Sequence, residues 1–170
     1  MVTIIKSKSK LYWLLVNAIM IILMVSIGGI TRLTDSGLSM TEWSLIGGIL
    51  PPTNYESWLL LFEKYKLSPE FQIKNYNMTL SEFKNIFFWE YFHRLWGRII
   101  GIFFIIPFIY LIFTNKIERF ITVRLLVILF FGSLQAFIGW WMVKSGLIDK
   151  PDVSQYLSLI HIWRCRRMAK

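Results

Sequence analysis

The sequence predicts an all-α integral membrane protein, a transmembrane helix bundle, from three observations. Hydrophobic residues make up 55% of the 170 residues and aromatic residues 17%, a composition typical of membrane proteins. Three apolar runs, at about residues 11–30, 86–113 and 121–143, are each long enough to cross a bilayer. Basic residues flank these runs, as the positive-inside rule requires of a multi-pass protein. We therefore expect three full spans.

The net charge of +9 follows from this topology and does not indicate a nucleic-acid partner. Most basic residues flank the apolar runs or lie at the extreme C-terminus, where membrane orientation explains them. The only cysteine, Cys165, excludes an internal disulfide and any CxxC motif.

The first span, residues 11–30, contains no charged side chain and follows three lysines at positions 6, 8 and 10. The run is too long for a typical signal-peptide core, so we expect a retained helix. The lysines predict that the N-terminus lies on the cytoplasmic or matrix side.

The long loop at residues 31–85 is expected on the outer side of the membrane. Ser39 and Glu42 have capping-box spacing, which predicts a short helix near residues 40–46. Residues 56–66 have clustered apolar side chains, so this segment would lie on the membrane surface or close over a site beneath it. A small helix packed on the ends of the membrane helices is an equally good interpretation.

The second span is predicted to begin early, near Leu80, because Thr79 and Glu82 repeat the capping-box spacing. A helix from Leu80 to Phe113 is longer than the roughly 20 residues that a bilayer requires. Its first turns should therefore stand outside the hydrocarbon, with His93 near the outer boundary of the apolar layer.

The end of the chain departs from this regular pattern. After the third span, residues 121–143, a fourth is expected to start at about residue 154. A basic cluster at residues 164–170 follows only three turns later and is unsuited to the bilayer interior. We therefore expect a truncated fourth span and an atypical, out-of-family tail at residues 157–170.

The stretch FFWEYFHRLWGRIIG, residues 87–101, is the most unusual part of the sequence. Charged side chains in mid-membrane cost roughly 2.5–3.5 kcal/mol each, so a concentration of ionisable groups in a span needs a physical reason. Four such groups occur in nine residues: Glu90, His93, Arg94 and Arg98. Helical periodicity places the first three on one side of the helix.

His93, Gly97 and Gly101 recur at intervals of four, which leaves a face without side chains below the imidazole. Such a face suits a planar ring with His as an iron ligand and Arg beside its propionates. It also suits close helix packing of the GxxxG type with a structural ion pair. From spacing alone, packing is favoured, a haem or metal site comes second, and a proton or ion path third.

Several longer motifs resemble the haem A synthase family. They are GGITRLTDSGLSMTEW (28–43), GGILPP (47–52), PEF (69–71), MTLSEFKNIFFWEYFHRLWGR (78–98) and GWWMVKSGL (139–147). The motifs occur in order at suitable spacing, and the resemblance covers residues 11 to about 156. The first outer loop has no cysteine pair, as in the form found in proteobacteria and mitochondria.

The resemblance implies eight membrane helices in two similar four-helix halves, of which residues 1–156 would be the first. Members oxidise a ring methyl of haem O to a formyl group. Histidines of the first half face haem O, and a second pair holds a haem b cofactor in the second half. The implied partners are haem O, membrane lipid, an unidentified electron donor and a further copy in a homo-oligomer. The implied location is the bacterial or mitochondrial inner membrane.

Individual roles follow from the motif positions. Glu90 matches the acidic residue of the family's E-x-x-H motif and is the catalytic candidate. His93 matches the second-helix histidine and would ligate iron. His161 stands where the fourth-helix histidine is expected, although residues 157–159 depart from the family's R-L-A pattern. The candidates for propionates or helix-end ion pairs are Arg94, Arg98 and Arg32.

Two other classes of function fit parts of this pattern. A membrane haem-binding cytochrome or haem carrier would use the same histidine without oxidative chemistry. A transporter or assembly factor would need the Glu90–Arg94 pair only for structure. Because the resemblance covers only a first half, we expect the chain by itself to make no haem A.

Overall fold

The computed structural model describes residues 8–41 and 51–146, and within these ranges all regular structure is helical. The helices are α1 (Lys8–Leu33), α2 (Tyr55–Lys66), α3 (Pro69–Ile73), α4 (Leu80–Phe113) and α5 (Arg119–Gly146). Helices α1, α4 and α5 are long and apolar enough to cross a membrane, with mean hydropathies of 2.3, 2.1 and 2.1. The predicted all-α membrane fold with three spans is therefore confirmed.

Three predictions fall on parts of the chain that the structure does not describe. The fourth span from about residue 154 and the atypical tail at residues 157–170 lie beyond the described ranges. Most of the short helix predicted at residues 40–46 falls in the gap at residues 42–50. These expectations stay predictions.

Helices α1 and α4 run antiparallel and are joined by two indole hydrogen bonds. Trp13 Nε1 donates to the Phe103 carbonyl at 3.0 Å, and Trp96 Nε1 donates to the Met20 carbonyl at 3.0 Å. The Phe103 carbonyl would ordinarily accept from the residue four positions later, but that residue is Pro107, which has no N–H. Trp13 thus supplies the donor that the proline removes from α4.

Helix α5 packs against the other two spans at the end of the bundle that holds Lys8. A small apolar cluster there contains Phe104, Phe108 and Leu125, with Trp13 and Ile121 packed against it. In the 18-residue apolar segment of α5, only 6% of the residues are buried, whereas 22% are buried in that of α1. Most of α5 therefore presents apolar surface that suits lipid or further helices.

Helices α2 and α3 form a cap (residues 55–73) over the first turns of α4. The buried core of this contact consists of Phe62 and Tyr65 from α2 with Phe83, Ile86 and Phe87 from α4. The rings of Tyr65 and Phe83 stack with their centroids 5.0 Å apart. The predicted helix at residues 56–66 is confirmed, and it packs on the membrane helices.

Side-chain caps fix where these helices begin. Asn54 accepts a hydrogen bond from the Ser57 amide at 2.9 Å at the start of α2. At the start of α4, the Thr79 amide donates to the Glu82 carboxylate at 2.8 Å, which completes the predicted capping box. Helix α4 begins at Leu80 as the sequence predicts, and it is 34 residues long.

Candidate functional site

Glu90 is the centre of a buried polar contact at the cap end of α4. Its side chain is buried, with 3% of the residue exposed. One carboxylate oxygen accepts from Ser39 Oγ at 2.6 Å and from the Met40 amide at 2.8 Å. The other accepts from the Arg94 guanidinium. Both oxygens of the carboxylate are therefore held by donors.

Arg94 bonds both Glu90 and Met40. Arg94 lies one helical turn after Glu90, and its side chain is 12% exposed. Its guanidinium pairs with the Glu90 carboxylate. It also donates to the Met40 carbonyl at 3.4 Å. Glu90 therefore accepts from the N–H of Met40 while Arg94 donates to its C=O. These two bonds fix the segment after α1 on the surface of α4.

The segment that brings Ser39 to this contact, residues 34–39, forms a hydrogen-bonded turn with buried serines. The Ser36 amide donates to the Thr31 carbonyl at 2.9 Å, which ends α1 and turns the chain. Asp35 takes a left-handed conformation with φ of 49°, which Asp tolerates better than most residues. Ser36 and Ser39 are almost fully buried, with 0% and 2% exposed. Their burial makes this loop a defined part of the site.

Three of the other predicted site residues lie on α1 and α4. His93 and Arg98 are half-buried on α4, and Arg32 is exposed in the last turn of α1. His161 lies outside the described residues. Across residues 8–41 and 51–146, no three His, Cys, Asp or Glu side chains are grouped to hold a metal ion. A haem iron needs only one or two ligands from the protein, so a single imidazole such as His93 is a sufficient donor for it.

Gly97 and Gly101, four residues apart on α4, differ in their surroundings. A Cβ atom at Gly97 would lie 3.3 Å from the terminal methyl of Met24 on α1, so this position is used for helix packing. A Cβ at Gly101 would meet nothing within 4 Å. The position beside Gly101 is therefore open to a larger side chain, while Met24, a flexible side chain, closes the face at Gly97.

Comparison with known proteins identifies the family. The family model for COX15-CtaA, described as cytochrome oxidase assembly protein, matches residues 11–164. The chain belongs to this family. Both segments that meet at Glu90, residues 28–41 and residues 78–98, lie within the match.

Several similar proteins are named haem A synthase. Proteins called haem A synthase are 48% identical over 157 residues in Wolbachia sp. subsp. Brugia malayi and 49% identical over 158 residues in Flavobacterium psychrophilum. Each alignment covers 92% of this chain and 47% of the relative. The haem A synthase of Paramagnetospirillum magneticum is 50% identical over 150 residues, 88% of this chain and 42% of the relative.

These comparisons confirm the resemblance seen in the motifs. The chain spans about half the length of the relatives that it matches. No solved structure matches it.

Sequence reasoning missed a second buried carboxyl, that of Glu70 in α3. Glu70 is 4% exposed and accepts from the Tyr65 hydroxyl at 3.2 Å. The pKa of Glu70 is raised to about 7, mainly by burial and in part by the nearby charge of Glu90. The signal for it was the PEF motif (69–71), in which an acidic residue stands between two apolar ones.

Proposed function

We propose that the chain is the haem O-binding part of a haem A synthase, which oxidises a ring methyl of haem O to a formyl group. The observation that carries this proposal is the contact between two family motifs at Glu90 and Arg94, one turn from His93. Relatives that are 48–50% identical over about 90% of the chain carry the name haem A synthase.

His93 is proposed as the iron ligand, because it is the imidazole of the E-x-x-H motif that begins at Glu90, and an imidazole is a common axial ligand of haem iron. Arg94, Arg98 and Arg32 are proposed to bind the propionates or to form helix-end ion pairs, and Arg94 also bonds Glu90 and Met40. Haem O supplies the iron and the methyl group that is oxidised. His161 stays a candidate second ligand, and a haem b site is proposed for the second half of the two-half plan.

Glu90 is proposed to act first as a positioning residue. Three donors hold its carboxylate, so in this arrangement it fixes the Ser39–Met40 segment and orients Arg94. Its predicted part in proton handling remains a proposal. An unidentified electron donor and a homo-oligomer also remain proposals.

The proposed location is an inner membrane, with the N-terminus inside. What supports this orientation is that Lys10 Nζ donates to the Lys116 carbonyl, so two separate basic segments lie at the same end of the bundle. Basic residues at one end of a helical membrane protein favour the inner side. The cap and Glu90 would then lie on the outer side.

Haem titration of the purified chain in detergent tests the iron ligand. The wild-type chain should bind haem with a spectrum typical of histidine ligation, and His93→Ala should lose or shift that spectrum. Phe88→Ala, which removes an exposed α4 side chain, is the matched control and should leave it unchanged. An unchanged spectrum in His93→Ala would rule out this ligand.

Product analysis tests the reaction. A full-length relative expressed beside a haem O producer should yield haem A, and this chain alone should yield none. If the full-length protein binds haem O but forms no formyl product, the haem carrier or cytochrome interpretation is the better one. If this chain alone forms haem A, the assignment of a second necessary half is wrong.

A further inference from the structure

Glu70 belongs to a buried hydrogen-bonded chain in the cap that the proposed function does not use. The Tyr65 hydroxyl donates to the Glu70 carboxyl at 3.2 Å, and Asn75 Nδ2 donates to the same hydroxyl at 2.7 Å. Tyr65 is 0% exposed and Glu70 4%, while Asn75 is half-buried at the edge of the cap. A carboxyl that is this deeply buried is rare unless it is paired or protonated.

Burial is the largest effect on the pKa of Glu70 and raises it, and charged groups from three other parts of the fold act beside it. Lys74 at the end of α3 lowers the pKa of Glu70, while the carboxylates of Glu90 on α4 and Asp35 after α1 raise it. The hydrogen bond from Tyr65 on α2 also lowers it. With the pKa at about 7, Glu70 exchanges its proton near neutral pH.

Glu70 and Glu90 are linked through one packed cluster. Met40, whose amide donates to Glu90, packs against the aromatic cluster that contains Tyr65, the donor to Glu70. Charge at Glu90 therefore acts on Glu70 through low-dielectric protein, where Coulomb interactions are several times stronger than in water. Any further negative charge placed beside Glu90 should act in the same direction.

We propose that Glu70 is a proton-exchanging residue coupled to the Glu90–Arg94 site, taking up a proton when negative charge enters that site and releasing it when the charge leaves. This inference rests on the proposed function, because the entering charge is that of the haem propionates. Proton uptake by Glu70 keeps carboxylate charge from accumulating among Glu70, Glu90 and Asp35 as haem binds. Glu70 acts through electrostatics and does not touch the haem.

Infrared pH titration of the chain tests the exchange directly, because a protonated carboxyl has its own C=O absorption. A band that titrates near pH 7 should be present in the wild type and absent in Glu70→Gln. Glu63→Gln is the matched control, since Glu63 is exposed and paired with Lys66. A neutral-pH band that persists in Glu70→Gln would overturn the assignment.

Two further variants shift the midpoint in opposite directions. Asp35→Asn removes a negative charge without touching the donors of Glu90, so the midpoint should fall. Tyr65→Phe removes the hydrogen bond that stabilises the carboxylate, so the midpoint should rise. Midpoints that do not move in either variant would show that Glu70 is not coupled to these neighbours.

Proton uptake on haem binding tests the coupling to the site. In weakly buffered solution at pH 7, haem should drive uptake of a fraction of a proton per haem in the wild type and none in Glu70→Gln. Haem with both propionates esterified carries no such charge and should cause no uptake. Equal uptake in wild type and Glu70→Gln would overturn the coupling. Absence of haem binding would refute the proposed function, and the infrared titration would still decide the role of Glu70.

Discussion

Glu90→Gln should destabilise the protein strongly, because Glu90 accepts from the Met40 amide and pairs with Arg94, which bonds the Met40 carbonyl. The substitution keeps the volume of the side chain but removes the charge that pairs with Arg94. An amide has one acceptor oxygen, whereas the carboxylate accepts from Ser39, Met40 and Arg94 on two. At least one buried donor is therefore left without its acceptor.

The magnitude follows from burial. Removing one partner of a buried ion pair typically costs 3–5 kcal/mol, since the remaining charge stays out of water. Arg94 retains its weaker bond to the Met40 carbonyl and has 12% of its side chain exposed, so we expect about 3 kcal/mol. For a chain of this size that corresponds to a fall in Tm of roughly 6–12 °C.

Thermal unfolding in detergent, followed by circular dichroism, measures the effect in a double-mutant cycle. Arg94→Met and the double variant complete the cycle, and the double variant should be destabilised less than the sum of the single variants. Glu63→Gln is the control, because its exposed pair with Lys66 should contribute well under 1 kcal/mol. If Glu90→Gln is no less stable than Glu63→Gln, the contact of Glu90 and Arg94 with Met40 does not stabilise the fold.

Three further outcomes are expected. Cysteines at positions 57 and 81, introduced after replacement of Cys165, should react with an impermeant thiol reagent in intact cells; reaction only after lysis would reverse the orientation. Gly101→Leu should lower haem affinity at least tenfold and leave Tm near wild type, because its side chain enters open space; unchanged affinity would place the haem elsewhere. Wild-type stability should fall as pH rises from about 4.5 to 7, because folded Glu70 holds its proton more tightly than the unfolded chain does. Glu70→Gln should remove this loss of about 3 kcal/mol, and an identical pH profile in both proteins would contradict it.

The sequence predicts those parts of the fold that depend on local patterns. Run length locates α1, α4 and α5, because the thickness of a bilayer sets a minimum length for any span. The Thr79–Glu82 spacing gives the start of α4, because both hydrogen bonds of a capping box lie within one turn. The pairing of Glu90 with Arg94 is local for the same reason.

Contacts between distant segments could not be predicted in this way. Ser39 lies 51 positions from Glu90, and its spacing to Glu42 suggested a helix cap. The hydrogen bond from Trp13 to the Phe103 carbonyl, one turn before Pro107, depends on how α1 and α4 are aligned. Each of these residues has a complete local explanation, so only the packed helices show its partner.

The pairing of Glu90 changes how any loss of activity at this position should be interpreted. A glutamine there removes a charge from the site, and it also frees the Ser39–Met40 segment and leaves Arg94 without its carboxylate. Loss of haem A per cell therefore does not separate proton handling from structure. Ser39→Ala removes one donor and keeps the carboxylate and its charge, so it disturbs position alone. If Ser39→Ala lowers product per folded molecule as much as Glu90→Gln does, Glu90 acts through position. A much larger effect of Glu90→Gln on folded, haem-loaded protein would assign it a part in the chemistry.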